Sequence, residues 1–133
     1  MKVFVLDSNI LSFYLRQNQQ VIQKVHNALL SGYEVLISPI GYYEVKRGLL
    51  AIKAEKRLRE FFSLCKILGV GQLDNSILDF AADIYQELRD KKLTIEDADI
   101  LTAAFCKRHE FTLVTNNTKH FQAISGLQHC DWA

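Results

Sequence analysis

The heptapeptide Val3-Phe4-Val5-Leu6-Asp7-Ser8-Asn9 decides how the fold is read. Its first four residues are apolar and mostly β-prone, and Asp7 ends the run. Four residues are too few for a buried helix, and an unbroken apolar run marks a strand covered on both faces. Ser8 reads as the N-cap of a helix in which Ile10, Leu11, Tyr14 and Leu15 recur at helical spacing. The opening is therefore strand, acidic turn, helix.

The same alternation continues. A helix is expected over 20–30, with Val21, Val25, Ala28 and Leu29 on one stripe and Gly32 as its stop. Residues 34–37 read as a second strand, and Ser38-Pro39 as a cap with proline at the first helical position. A Lys- and Arg-rich helix follows over 52–65, and 67–70 reads as a short strand. A long helix over 74–91 should turn Ile77, Leu78, Ala81, Ile84, Tyr85 and Leu88 inward. Thr94 and Asp97 approximate a capping box before a helix over 97–108. Thr112–Thr115 is a further strand, Asn116-Asn117 a turn, and 127–130 a last edge strand. Short apolar strands separated by helices give an α/β domain of three layers, a central parallel sheet flanked by helices, over residues 1–133.

Composition supports an ordinary globule. The 133 residues are 49% hydrophobic and 23% charged, which excludes a disordered tail, a coiled coil or a fibre. The net charge of +1 gives no bulk signal for nucleic acid or membrane, so any charged partner must meet a local patch. The apolar runs are far short of the about 20 residues that span a bilayer, and Asp7 interrupts the first too early for a signal peptide. A cytoplasmic protein is expected, with no membrane partner. Cys65, Cys106 and Cys130 lack metal-ligand spacing and read as reduced thiols. His26, His109, His120 and His129 likewise lack a zinc pattern and read as surface or cap residues. Gly69-Val70-Gly71 lacks the third glycine of a dinucleotide fingerprint.

In open parallel sheets the working site lies beyond the carboxyl ends of the strands. Asp7 follows the first strand, Glu44 lies early in the helix leaving the second, and Asp97 and Asp99 open the helix before the Thr112 strand. Each alone has a dull explanation as a turn, a solvated face or a cap. Together they would bring three carboxylates within a few ångströms, where mutual repulsion favours a hard divalent cation with oxygen ligands, Mg²⁺ or Mn²⁺. Helical periodicity does not choose between Asp97 and Asp99. The helix is apolar nearly all round, so only its first turn should reach a cleft.

These residues carry a resemblance. Leu6-Asp7-Ser8-Asn9, Tyr43-Glu44 with Gly48, Asp99-Ile-Leu-Thr-Ala-Ala104, Leu113-Val-Thr115-Asn-Asn117, His120-Phe121 and Asp131-Trp132 resemble the PIN-domain nucleases, most nearly the VapC-type toxins of bacterial toxin–antitoxin pairs. The resemblance spans essentially the whole chain. It implies metal-dependent hydrolysis of RNA, with Asp7, Glu44 and Asp99 as the catalytic and metal-holding acids, the motif preferring Asp99 to Asp97. Asn117, Asn116, Ser8 and Thr115 would support them. Many family members place a further Asp where this chain has Asn116-Asn117. The resemblance also implies a cognate VapB-type antitoxin in the cleft and a homodimer.

The RNA substrate, transfer RNA or another structured or single-stranded RNA, needs positive charge near the acids. Lys46, Arg47, Lys53, Lys56, Arg57 and Arg59 concentrate beside Glu44 and are its candidates. Phe13, Tyr42 and Tyr43 are candidates to stack on bases. Two other chemistries with an Asp after the first strand fit less well. A haloacid-dehalogenase-like phosphatase wants Asp where Asn9 stands, and a receiver-like module wants an acidic pair before the Asp. A catalytically weak, non-toxin PIN domain acting in RNA processing or as a binding module is the remaining alternative.

Overall fold

The computed structural model describes residues 2–133. Strands β1 (Val3–Leu6), β2 (Glu34–Ile37), β3 (Thr112–Val114) and β4 (His129–Cys130) form a parallel sheet in the order β2-β1-β3-β4. Alternation along β1 and β3 divides the core. Phe4, Leu6 and Val114 join one apolar cluster with Leu11, Ile37 and Phe61. Val5 and Leu113 join the other with Ile84, Ala104 and Phe121. Helices α1 (Ser8–Leu15), α2 (Gln19–Leu30), α3 (Pro39–Ala51) and α4 (Glu55–Leu68) supply the first cluster. Helices α5 (Asn75–Asp90), α6 (Asp97–His109) and α7 (Thr118–Phe121) supply the second. The expected three-layer parallel architecture is the one observed.

The chain passes from β1 outward to β2 and then, through α3 to α6, crosses to β3 on the other side of β1. The strand order therefore reverses between β1 and β3. Their carboxyl ends, Asp7 and Thr115, flank the crevice that such a reversal opens. Gly41 brings the third element in. A Cβ there would lie 3.3 Å from the Ser8 backbone nitrogen and the Ser38 Cβ, so α3 starts against the start of α1. Ser38 caps α3 by accepting from the Gly41 N–H at 3.2 Å, with Pro39 in the first turn.

Several local expectations are corrected. Asp7, not Ser8, caps α1, its Oδ1 accepting the Ser8 N–H at 2.8 Å. The basic helix begins at Glu55 rather than 52, because Ile52–Ala54 form a turn with Lys53 at φ 53°. It runs on to Leu68, whose side chain continues the buried stripe of Phe61 and Leu64, so 67–70 is no strand. Val70 keeps one isolated bridge to Ile37. Thr94 forms no capping box: Asp97 is the first helical residue, too early to reach back, and Glu96 caps α6 without a side-chain bond. Leu78 and Tyr85 of α5 face solvent, while Ile77, Ala81, Ile84 and Leu88 are buried. Helix α6 is buried through its middle, at Ile100 and from Thr102 to Cys106, as its all-round apolarity predicts. The three cysteines are free. Among the described residues no helix is long and apolar enough to cross a membrane.

Candidate active site

Asp7 stands at the carboxyl end of β1, beside the crevice, and is only 3% exposed. Its N–H continues the β1–β3 ladder to Val114 O at 3.0 Å, which fixes the backbone from which the carboxylate projects. One carboxylate oxygen accepts the Ser8 N–H, and the other accepts the Thr115 hydroxyl at 2.9 Å. Thr115 is itself fully buried, and its Oγ1 also accepts the Asn117 N–H at 3.1 Å. Burial pushes the Asp7 carboxyl above the usual carboxylate range. The two hydrogen bonds oppose that shift, and the negative charges of Asp99 and Glu44 add to it.

Glu44 is half-buried on α3, one turn after the close approach at Gly41. Asp99, in the first turn of α6, lies within hydrogen-bond distance of His120 Nδ1, at 3.0 Å. Asp97 is exposed, and of the two only Asp99 adds its charge at Asp7. The three predicted acids thus meet electrostatically at one end of the sheet. They do not form the tight cluster the sequence suggested: among the described residues no three acidic, His or Cys side chains stand close enough to cage a metal ion. The backbone brings the elements together, and the half-buried Asp99 is turned onto His120.

The amide pair after β3 divides its work. Asn116 donates its side-chain N–H to Asp131 at 3.0 Å and its backbone N–H to Asn9 Oδ1 at 3.0 Å, so its amide is committed outside the acids. Asn117 faces a groove of about 440 Å³ that also holds Ser8 and Glu44. Gly48 forms part of its wall, where a Cβ would meet nothing within 4 Å.

The basic candidates separate sharply. Lys46 is held between the rings of Tyr42 and Phe62, 5.5 Å from each centroid, and Arg47 lies 5.0 Å over Tyr43. Lys53 and Arg59 are exposed away from the groove. Arg57 alone of the six lines it, and Lys56 lines an adjoining hollow. Tyr42 stacks on buried Phe61 at 5.7 Å, a core role, whereas Phe13 lines the groove.

Three residues escaped the sequence reading as parts of this site. Asn9 bridges α1 to the β3 turn, donating to Thr115 Oγ1 at 3.4 Å and accepting from Asn116. Arg16 lines the groove opposite α3. His120 lies at the surface, as expected, and in addition its Nδ1 is 3.0 Å from Asp99, beside buried Phe121 in α7. No periodicity relates these residues to the acids. The resemblance gave the only signals, Leu6-Asp7-Ser8-Asn9 for Asn9 and His120-Phe121 for His120, without assigning either a role; Arg16 had none.

The PIN domain family matches residues 4–127. The chain is 24% identical over 131 residues to Ribonuclease VapC1 of Haemophilus influenzae, covering 98% of both. It is 28% identical over 136 residues to the tRNA(fMet)-specific endonuclease VapC of Shigella flexneri, again covering 98% of both. Its fold matches, with a TM-score of 0.89 and 22% identity, the crystal structure of VapBC2 from Rickettsia felis bound to a promoter DNA fragment, covering 98% of this chain and 99% of that one.

Proposed function

The chain belongs to the PIN domain family, and from that premise we propose that it is a VapC-type endoribonuclease that hydrolyses RNA phosphodiester bonds with the help of Mg²⁺ or Mn²⁺. A cognate VapB-type antitoxin holds it in check by occupying the cleft. The observation that carries this reading is the Asp7 carboxylate, buried at the strand-order reversal under the charge of two further acids from separate helices.

The residues suit a hard cation. Asp7, Glu44 and Asp99 offer oxygen donors; burial is the main cause that raises Asp7, and the like charges of Asp99 and Glu44 that add to it are the imbalance a divalent ion would reverse. Asp7 and Asp99 would hold it directly or through water, with Glu44 holding a coordinated water or a second ion. When bound, such an ion offsets charge on the phosphate and makes water a better nucleophile.

The rest is done by the chain itself. Thr115 and the Ser8 N–H fix both oxygens of Asp7 in one orientation. His120 orients Asp99. Asn117, facing the groove, orients the phosphate or the attacking water, and the Ser8 side chain lines its path. A non-catalytic binding role draws on one observation, the neutral Asn116 amide turned to Asp131 at the turn where the family resemblance implies a further acid.

The test is cleavage mapping on total RNA with Mn²⁺, with and without EDTA, for the natural chain and for Asp7→Asn. Discrete cuts that vanish with EDTA and with the substitution are expected. Intact RNA under every condition would leave the binding-module reading instead.

A further inference from the structure

We propose that the groove between α1, α3 and the start of α4 is the track for the unpaired RNA strand beside the cut, with Arg16 and Arg57 together holding a phosphate beyond the reacting one. The inference rests on the ribonuclease reading of the acids. It chooses among the RNAs that the sequence left open, and it pairs Arg57, one of six basic candidates, with Arg16, which the sequence did not assign.

The groove reaches one of the acids, Glu44, and is also lined by Ser8, which follows Asp7, and by Asn117. Its other end is basic. Arg16 is the C-cap of α1, and Arg57 lies in the first turn of α4. These guanidiniums come from elements 41 residues apart in the chain, yet both line the groove of about 440 Å³ and both line the smaller hollow beside it. Among the described residues neither forms an ion pair. That distinguishes them from Lys46 and Arg47, whose cations already lie on aromatic rings. A planar guanidinium offers a phosphate two parallel N–H donors, and a pair of them suits a phosphodiester better than scattered lysines. The adjoining hollow adds Lys56 and Gln17 but also the carboxylate of Glu60, so the phosphate site is assigned to the two arginines and is not extended beyond them.

The depth of the site selects the strand. Asp7 is 3% exposed, so a phosphate that reaches it must come down to a buried carboxylate. A paired A-form helix keeps its phosphates on a broad rigid cylinder and cannot lower one that far. An unpaired strand bends in, and the Phe13 ring lining the same groove offers a face on which a base can stack.

The test uses the full chain with Asp99→Asn, so that RNA is not consumed, and a labelled single strand of roughly 12 nucleotides in Mg²⁺ at several salt concentrations. Arg16→Ala and Arg57→Ala are each expected to weaken binding about 3- to 10-fold and to lower the slope of log affinity against log salt by about 0.7, the value for one phosphate contact on a single strand. Lysine at either position should restore the slope but only part of the affinity. A duplex of the same sequence should bind much more weakly. With Asp99 restored, Arg16→Ala/Arg57→Ala should raise KM for RNA with little change in kcat.

An unchanged affinity and slope in the double variant would overturn the assignment. So would equal binding of the duplex, or loss of affinity for the antitoxin alone with RNA binding intact. In each of those cases cleavage by the natural chain would still stand. Failure of the natural chain to cut any RNA would instead overturn the ribonuclease reading and this inference with it.

Discussion

Asp7 and Glu87 each accept hydrogen bonds from neighbouring donors, yet they sit in opposite electrostatic circumstances. Glu87, on α5, accepts from the Ser125 hydroxyl at 2.5 Å, the Ser125 N–H at 3.1 Å and the Lys91 ammonium at 3.0 Å. Those bonds hold its carboxyl down to about 2, well below its ordinary value. Asp7 accepts two, and its carboxyl is nevertheless raised. The difference lies in solvent and in sign of charge. Glu87 is 24% exposed beside a cation, whereas Asp7 is buried beneath two anions. One carboxylate ties α5 to the loop before β4 and stabilises the fold. The other carries its charge beneath like charges at a cost to the fold, a cost that the cation proposed above would relieve.

The largest expected effect breaks that contrast at its functional end. Asp7→Asn or Asp99→Asn should lower RNA cleavage roughly a thousandfold, about 4 kcal/mol of transition-state stabilisation, in a single-turnover assay. The same Asp7→Asn chain, kept metal-free, should melt at a higher temperature than the natural one at neutral pH. The folded state prefers the protonated carboxyl, so the stability cost of Asp7 appears as pH rises from its unfolded value of 3.8 through its folded one, and the amide removes that cost. A lower melting temperature in EDTA would contradict the account of Asp7.

Thr115→Val sharpens the comparison next. It removes the hydroxyl that donates to Asp7 and accepts from Asn117, leaving a buried carboxylate short of a partner. A loss of about 1–3 kcal/mol in urea unfolding is expected, together with weakened cleavage.

Glu87→Gln probes the other carboxylate. It should cost about 0.5–1 kcal/mol at neutral pH with cleavage unchanged. Glu87 has a lowered pKa, so its contribution is whole above 4.5 and is lost as pH falls from there toward about 2. The stability gap between the two chains should close over that window in acid-unfolding curves. The smallest effect is expected at Asp97→Asn, where cleavage should stay within about twofold. The carboxylate is exposed and adds nothing at Asp7. A large loss there would transfer the α6 role from Asp99 to Asp97.

Much of the site was legible because its residues sit at ends of elements that announce themselves. Asp7 closes an apolar run, Asn117 follows another, and Ser38-Pro39 starts the helix that carries Glu44. Element boundaries set by tertiary packing were less legible. Helix α4 overran its expected end because Leu64 and Leu68 continue into the core, and Leu78 and Tyr85 lie at the solvent edge of the α5 stripe. A helical wheel gives the centre of a buried face but not its width, which depends on what packs against it.

The amino-acid order alone determined that strands and helices alternate, that the strands are covered on both faces, and that acids follow the strands. Hydrophobic periodicity and capping chemistry are local, and local patterns are written in consecutive residues. Only the folded chain decided which charges meet. The sheet order puts Thr115 beside Asp7, α7 carries His120 to Asp99, and Arg57 rather than Lys46 shares a groove with Arg16. Those pairings join residues 21 to 108 positions apart. Coulomb and hydrogen-bond energies depend on distance through space, which sequence separation does not encode.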